Sequence, residues 1–261
     1  KLTGLFDKMT FANEPLLDQP MGFNVWRAPT DNDRKLKADW YAAHYDHAAT
    51  NAYHTEYTVT ASGVTLHTHV GIAAICVQKF LDLDVTWTVA NNGSVDLALH
   101  AQRNTVFPEL PRFGLRLFLP QEMSQVNYYG MGPMECYRDK HHAASHSSYT
   151  ATVWQLHEDY IRPQENGSHF DCDYVMLAGD AVRLTAVGTQ PFSFNVSHYT
   201  QEELTRKAHN YELEPCGSTV LCLDYAQNGI GSESCGPRLL EQYRLDDAAF
   251  DFGLRLIPEK K

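Results

Sequence analysis

Residues 81–89 read LDLDVTWTV, so Leu81, Leu83, Val85, Trp87 and Val89 alternate with Asp82, Asp84, Thr86 and Thr88. A repeat of two is the repeat of a β-strand, because successive side chains leave a strand on opposite faces. The stretch therefore predicts a half-buried strand with its apolar row facing a core. The same signature recurs at Val64-Leu66-Thr68-Val70, Phe113-Leu115-Leu117-Leu119, Val182-Leu184-Ala186, Phe192-Phe194-Val196 and Phe250-Phe252-Leu254-Leu256, each near turn-forming residues. Many strands at short spacing predict an all-β fold, an antiparallel sandwich or barrel. Helical signals are few. Leu36, Trp40, Ala43 and Tyr45 fall at rough helical spacing within Lys35 to Ala49, and Thr200-Gln201-Glu202-Glu203 has the form of a capping box. Neither segment supplies the crossovers that parallel strands need. With no repeat, low-complexity stretch or long linker, residues 1–261 read as a single domain.

A chain of 261 residues can bury a sizeable core, and 43% hydrophobic with 20% charged residues is ordinary for a globular protein. No apolar run approaches the roughly 18 residues of a membrane-spanning helix, so no membrane partner is expected. The net charge is −11, from 32 acidic against 21 basic residues, and no Lys/Arg cluster forms a phosphate-binding stripe. Nucleic acid is therefore a poor partner. The six cysteines are scattered, without a C-x-x-C pair or a secretory signal, and read as reduced thiols in a cytoplasmic protein. The chain starts at Lys1 without a methionine, which predicts an excised segment of a longer protein or a processed product.

Familiar catalytic signatures are missing: there is no P-loop, no G-x-G-x-x-G turn, no H-E-x-x-H helix and no G-x-S-x-G elbow. His141-His142 with His146 lies in a polar, loop-like stretch, so no metal site is assigned there. Three dense polar segments remain. In FNVWRAPTDNDR, residues 23–34, Arg27 can pair an aspartate bidentately while Asp31, Asn32 and Asp33 close the turn after Pro29, a structural or interface corner with groove lining as the alternative. In NYYGMGPMECYRDK, residues 127–140, Glu135, Tyr137 and Asp139 alternate and could share one face of an extended segment, where carboxylates and a phenol ring suit sugar hydroxyls. A structural turn balanced by Arg138 and Lys140 is the competing reading. In YIRPQENGSHFDC, residues 160–172, Glu165-Asn166-Gly167 has the form of a tight turn that could also line a groove. Glu135 and Glu165 are the carboxylate pair a glycosidase reading would propose, yet nothing in the sequence fixes their separation. Near the C-terminus, QNGIGSESCGP, residues 227–237, predicts a sharply turning loop around Cys235, with neither a base nor a cause for a lowered thiol pKa.

Taken in order, WRAPTDND, YYGMGPMECYRDK, YIRPQENG, FSFNVSHYTQEEL and GIGSESCGP resemble the C-terminal domain, or separately encoded small subunit, of large multidomain bacterial beta-galactosidases of the glycoside hydrolase family 2 type. The resemblance spans nearly the whole chain. It implies a large antiparallel β-sandwich of the supersandwich, galactose mutarotase-like type. It also implies a parent enzyme that hydrolyses terminal β-galactosides such as lactose by a retaining mechanism, with both catalytic glutamates and the magnesium ligands on a separate α/β barrel. No such barrel fits in this sequence. The chain is thus expected to hold no catalytic residue and no cofactor, to complete the substrate pocket, and to partner the remaining domains or a large subunit in an oligomer. Some family members carry a tryptophan at the position of Cys235 that offers the sugar a stacking platform, so the resemblance places Cys235 at the pocket border without that platform. The runner-up is a stand-alone carbohydrate-binding or aldose-epimerase-like sandwich using its own groove, with Glu135, Tyr137, Asp139 or His198 as contacts.

Overall fold

The computed structural model describes residues 2–231 and 235–261, and among them fourteen strands form. In chain order they are β1 (Thr10–Phe11), β2 (Glu14–Pro15), β3 (Gln19–Asn24), β4 (Ala49–Thr60), β5 (Gly63–Ala73), β6 (Leu81–Ala90) and β7 (Val95–Arg103). There follow β8 (Arg112–Pro120), β9 (Gln125–Gly132), β10 (Ser145–Thr152), β11 (Ser168–Ala178), β12 (Val182–Ser197), β13 (Ser218–Gln227) and β14 (Ala249–Lys260). The opening stretch is β6, and its apolar row Leu81, Leu83, Val85 and Trp87 is buried as the alternation demands.

Apart from the β1–β2 hairpin, all strands belong to one antiparallel system ordered β10-β9-β11-β12-β14-β7-β6-β5-β4. The system branches at β12. Its first half, residues 182–188, pairs with β14, whereas residues 193–197 pair with β13, which carries β8 and then β3 as a second wing. A strand that changes sheets is how a sheet turns back over itself. β11 bends with it, through register shifts between His169 and Tyr174. The two wings then face one another across aromatic contacts. Phe113 of β8 meets Phe250 of β14 edge-on at 5.1 Å and Tyr225 of β13 stacks on Phe250 at 4.3 Å, while within the second wing Phe23 of β3 stacks on Phe113 at 6.0 Å. The result is the large antiparallel β-sandwich expected.

Details depart from the sequence reading. The runs at 182–186 and 192–196 form one strand, because the bend between them keeps both halves hydrogen-bonded. β8 does not alternate: Arg112, Gly114, Phe118 and Pro120 are buried along with its apolar row. Its outer side is covered by the helix α2 (Gln201–Arg206) and a small cluster of Phe118, Val220 and Cys222. The helix expected over Lys35 to Ala49 is shorter. It is α1 (Leu36–Ala42), which buries Leu36 and Trp40 and stops before His44, whose φ of 57° breaks the helical run; a 3-10 turn at Tyr45–His47 leads into β4. At α2 the Thr200 hydroxyl accepts from the Glu203 amide at 3.1 Å, while the Glu203 carboxylate accepts from the Glu214 amide and pairs with Arg206.

Candidate functional site

Loops that leave β3, β9, β13 and the segment before β11 converge at one end of the second wing. The corner at 26–33 is built first. Thr30 caps the 3-10 turn Asp31–Arg34: the Asp33 carboxylate accepts from the Thr30 amide at 2.8 Å and from its hydroxyl at 3.1 Å. The same carboxylate takes Arg27 on both oxygens, with Nη2 at 2.7 Å and Nε at 3.2 Å. Arg27 is wholly buried and lies 5.1 Å from the Trp40 ring centre. A cation with a bidentate partner and an aromatic cover can stay charged out of water. Arg27 and Asp33 are thus a fixed structural pair.

Behind the corner lies a second buried charge group. Arg112 donates through Nη1 to Glu165 Oε1 at 2.9 Å and through Nε and Nη2 to the two oxygens of Asp224, all three side chains being closed to solvent. Burial pushes the Glu165 carboxyl up; Arg112 pulls it back and Asp224 pushes it further up, leaving it above the ordinary range. The Glu165 amide donates to the Ala28 carbonyl at 2.9 Å, which ties this group to the corner. Asn166 faces inward, accepting from the Glu158 amide at 3.0 Å and donating to the Gln164 carbonyl at 2.9 Å. Only Gly167 in this turn takes positive φ, at 68°.

Glu135 forms the third element. Its Oε1 accepts from Lys140 Nζ at 2.8 Å and Tyr160 Oη at 2.5 Å, and its Oε2 accepts from the Gly167 amide at 3.0 Å and Tyr137 Oη at 3.4 Å. Burial pushes this carboxyl up, but the bonds from Lys140, Tyr160 and Gly167 outweigh it and hold the group below its ordinary value. Of the two readings of this segment, the structural turn is the one that forms, with Lys140 paired to Glu135. β9 ends at Gly132, the Gly132–Pro133 peptide is cis, and a bridge between Tyr137 and Lys140 closes a turn. The turn nevertheless brings Glu135, Tyr137 and Asp139 to one cleft of about 340 Å³, facing Asp31, Asn32 and Glu165.

The far wall of that cleft is the backbone after β13. Arg27 donates through Nη1 to the Asn228 carbonyl and through Nη2 to the Gly229 carbonyl at 3.2 Å, and Asn32 Nδ2 donates to the Ile230 carbonyl at 2.9 Å. From the other side, Asp139 Oδ1 accepts from the Ile230 amide at 3.0 Å and Oδ2 from the Gly231 amide at 2.6 Å. Residues 232–234 of the loop lie outside the described residues, and Cys235 beyond them is exposed.

The cleft therefore unites Asp31, Asn32, Glu135, Tyr137, Asp139 and Glu165, with Arg27 and Asp33 beneath it and Asn166 behind. Glu135 and Glu165 both border it, and each already serves fixed partners. His198 lies elsewhere, buried with its Nδ1 3.4 Å from the Ser218 carbonyl and its ring against Trp154. Among the described residues no group of three or more His, Cys, Asp or Glu side chains is placed to hold a metal ion. Cys76, Cys136, Cys172, Cys216 and Cys222 are free thiols. Sequence reasoning passed over Arg112, Asp224 and Tyr160. A charged residue inside an otherwise apolar strand, as in RFGLRLFLP and LCLDY, was the available signal for the first two.

Comparison with known proteins follows the same lines. The family model described as "Beta galactosidase small chain" matches residues 1–256. A beta-galactosidase of Actinobacillus pleuropneumoniae is 44% identical over 260 residues, covering 100% of this chain and 26% of that protein. A beta-galactosidase of Staphylococcus xylosus is 38% identical over 244 residues, covering 94% of this chain and 24% of that protein. The chain thus spans about a quarter of the length of these relatives. Among solved structures, a galactose mutarotase-like protein from Lactobacillus casei aligns with a TM-score of 0.50 at 10% identity, over 98% of this chain and 94% of its own. At that identity the likeness concerns the fold alone.

Proposed function

Because the chain belongs to the beta-galactosidase small-chain family, we propose that it is the non-catalytic part of such an enzyme and borders a substrate pocket completed by other domains. The parent activity would be hydrolysis of terminal β-D-galactosides such as lactose, with the two reacting carboxylates and the magnesium ligands outside this chain. The observation that supports the reading is that Glu135, Glu165 and Asp139 are engaged: they hold lysine, tyrosine, arginine and backbone amides, which suits the construction of a wall. The remaining domains or a large subunit are the partners this implies, within an oligomeric enzyme.

The test has two arms. The separately produced chain should not hydrolyse a chromogenic β-galactoside, and turnover that survives purification controls would sink the reading. In the full-length enzyme Cys235→Trp should lower KM by supplying a ring for the sugar to stack on; an unchanged KM would place the loop away from the substrate. A second reading, sugar binding in the chain's own hollow, draws on a cavity of about 250 Å³ lined by Tyr137, Phe170, Phe192 and Tyr225 with Arg138 and Gln227. Calorimetry with galactose and lactose separates the two, since a border piece should bind neither.

A further inference from the structure

The backbone from Asn228 to Gly231 is gripped on both edges by side chains from distant parts of the sequence. Its carbonyls at 228 and 229 accept from Arg27, its carbonyl at 230 from Asn32, and its amides at 230 and 231 donate to the single carboxylate of Asp139. The remaining amides are taken too: Asn228 donates to the Pro111 carbonyl at 3.0 Å and Gly229 to the Tyr243 carbonyl at 2.8 Å. Asn228 and Gly229 are buried and must find protein partners, whereas Ile230 and Gly231 are partly exposed and water could serve their amides, yet Asp139 takes both. The approach is also close. A Cβ at Gly229 would lie 2.8 Å from the Asp139 carboxylate carbon, and one at Gly231 would lie 2.5 Å from Leu239 Cδ1, so the glycines are what allow the grip. Arg27 cannot drift, because Asp33 holds its other edge and Trp40 its face.

We propose that Asp139, with Arg27 and Asn32, is a positioning residue that sets where the backbone of 228–231 stands at the pocket border. This rests on the pocket-border reading above, and assigns that placement to residues distant in sequence from the loop. Asp139 is the member to test, because its carboxylate alone receives two consecutive amides. An asparagine there keeps one acceptor and turns its NH2 toward a donor, so it should retain part of the effect.

The experiment uses the full-length enzyme carrying Asp139→Ala, Asp139→Asn, Gly229→Ala and Cys235→Trp, the last alone and combined with Asp139→Ala. Thermal midpoints report folding, and KM and kcat are measured separately. The expected result is a rise in KM of roughly tenfold for Asp139→Ala, less for Asp139→Asn, with kcat changed much less and the midpoint nearly held. Gly229→Ala, which crowds the carboxylate without removing it, should raise KM in the same direction. The KM effect of Cys235→Trp should disappear in the Asp139→Ala background, because a ring that is not held in place cannot stack. The inference is overturned if Asp139→Ala and Gly229→Ala leave KM unchanged in folded enzyme, or if the Cys235→Trp effect survives Asp139→Ala at full size. A Cys235→Trp enzyme with unaltered KM tells against the border reading instead, and the Asp139 and Gly229 variants still decide the present one.

Discussion

Arg112 holds two carboxylates, Glu165 and Asp224, in a place closed to solvent. Exchanging such a group for apolar residues of similar volume can be neutral, whereas removing one member strands the others. Arg112→Met should therefore destabilise the chain by about 3–5 kcal/mol, read from the urea midpoint. Neutralising the stranded partners in the same chain, with Glu165→Gln and Asp224→Asn, should recover part of the loss. A single variant as stable as the wild type would mean that the carboxylates find other donors. The charges of this group were written plainly in the sequence, but their meeting was not. Glu165 sits 53 residues and Asp224 112 residues along the chain from Arg112, and nothing local couples them.

At the scale of elements, the turn before β11 depends on one backbone conformation. Gly167 has φ of 68°, and a Cβ there would stand 2.2 Å from the Leu156 carbonyl oxygen. Its amide also donates to Glu135, so the turn and the cleft wall share an atom. Gly167→Ala should cost about 1–3 kcal/mol and disturb the Glu135 cluster with it; a loss under a few tenths in denaturant unfolding would show that the turn relaxes freely. The strands were the legible part. Alternation in β6 and β14 could be read directly because one face of each is buried and the other is largely wet. β8 was read as a strand but not as one covered on both faces, since a covering helix from another part of the chain leaves no local mark. At 133–140 an extended face and a turn balanced by Arg138 and Lys140 both fitted the sequence, and the structure forms the turn. Alternating polar residues look alike in a strand and in a turn whose side chains are gathered by a lysine and two tyrosines.

Over the whole molecule, the balance of buried titrating groups gives stability a slope against pH. His169 lies between Tyr128 and Phe194, and burial pushes its pKa from the ordinary 6.5 down to about 4. Between those values the unfolded chain takes up a proton that the folded chain refuses. The contribution is whole above the unfolded value and is lost as pH falls through the window, roughly 3 kcal/mol in all. Glu135, held below its ordinary value, adds a loss at lower pH in the same direction. Glu165 and Asp224 act oppositely, since carboxyls raised by burial favour the folded state at acid pH and forfeit that as pH rises through their folded values. His169→Gln should flatten the fall in urea midpoint between pH 6.5 and 4; a slope equal to that of the wild type would assign the acid sensitivity to other groups.

The division of β12 between the two wings has a consequence of its own. Its first seven residues belong to one layer and its last five to the other, with no break in the chain between them. Neither layer can melt while the other keeps its register, because the same strand would have to be both ordered and free. The domain should therefore lose its structure in one cooperative step. A neighbour that steadied only one layer would, through this strand, protect the whole from heat.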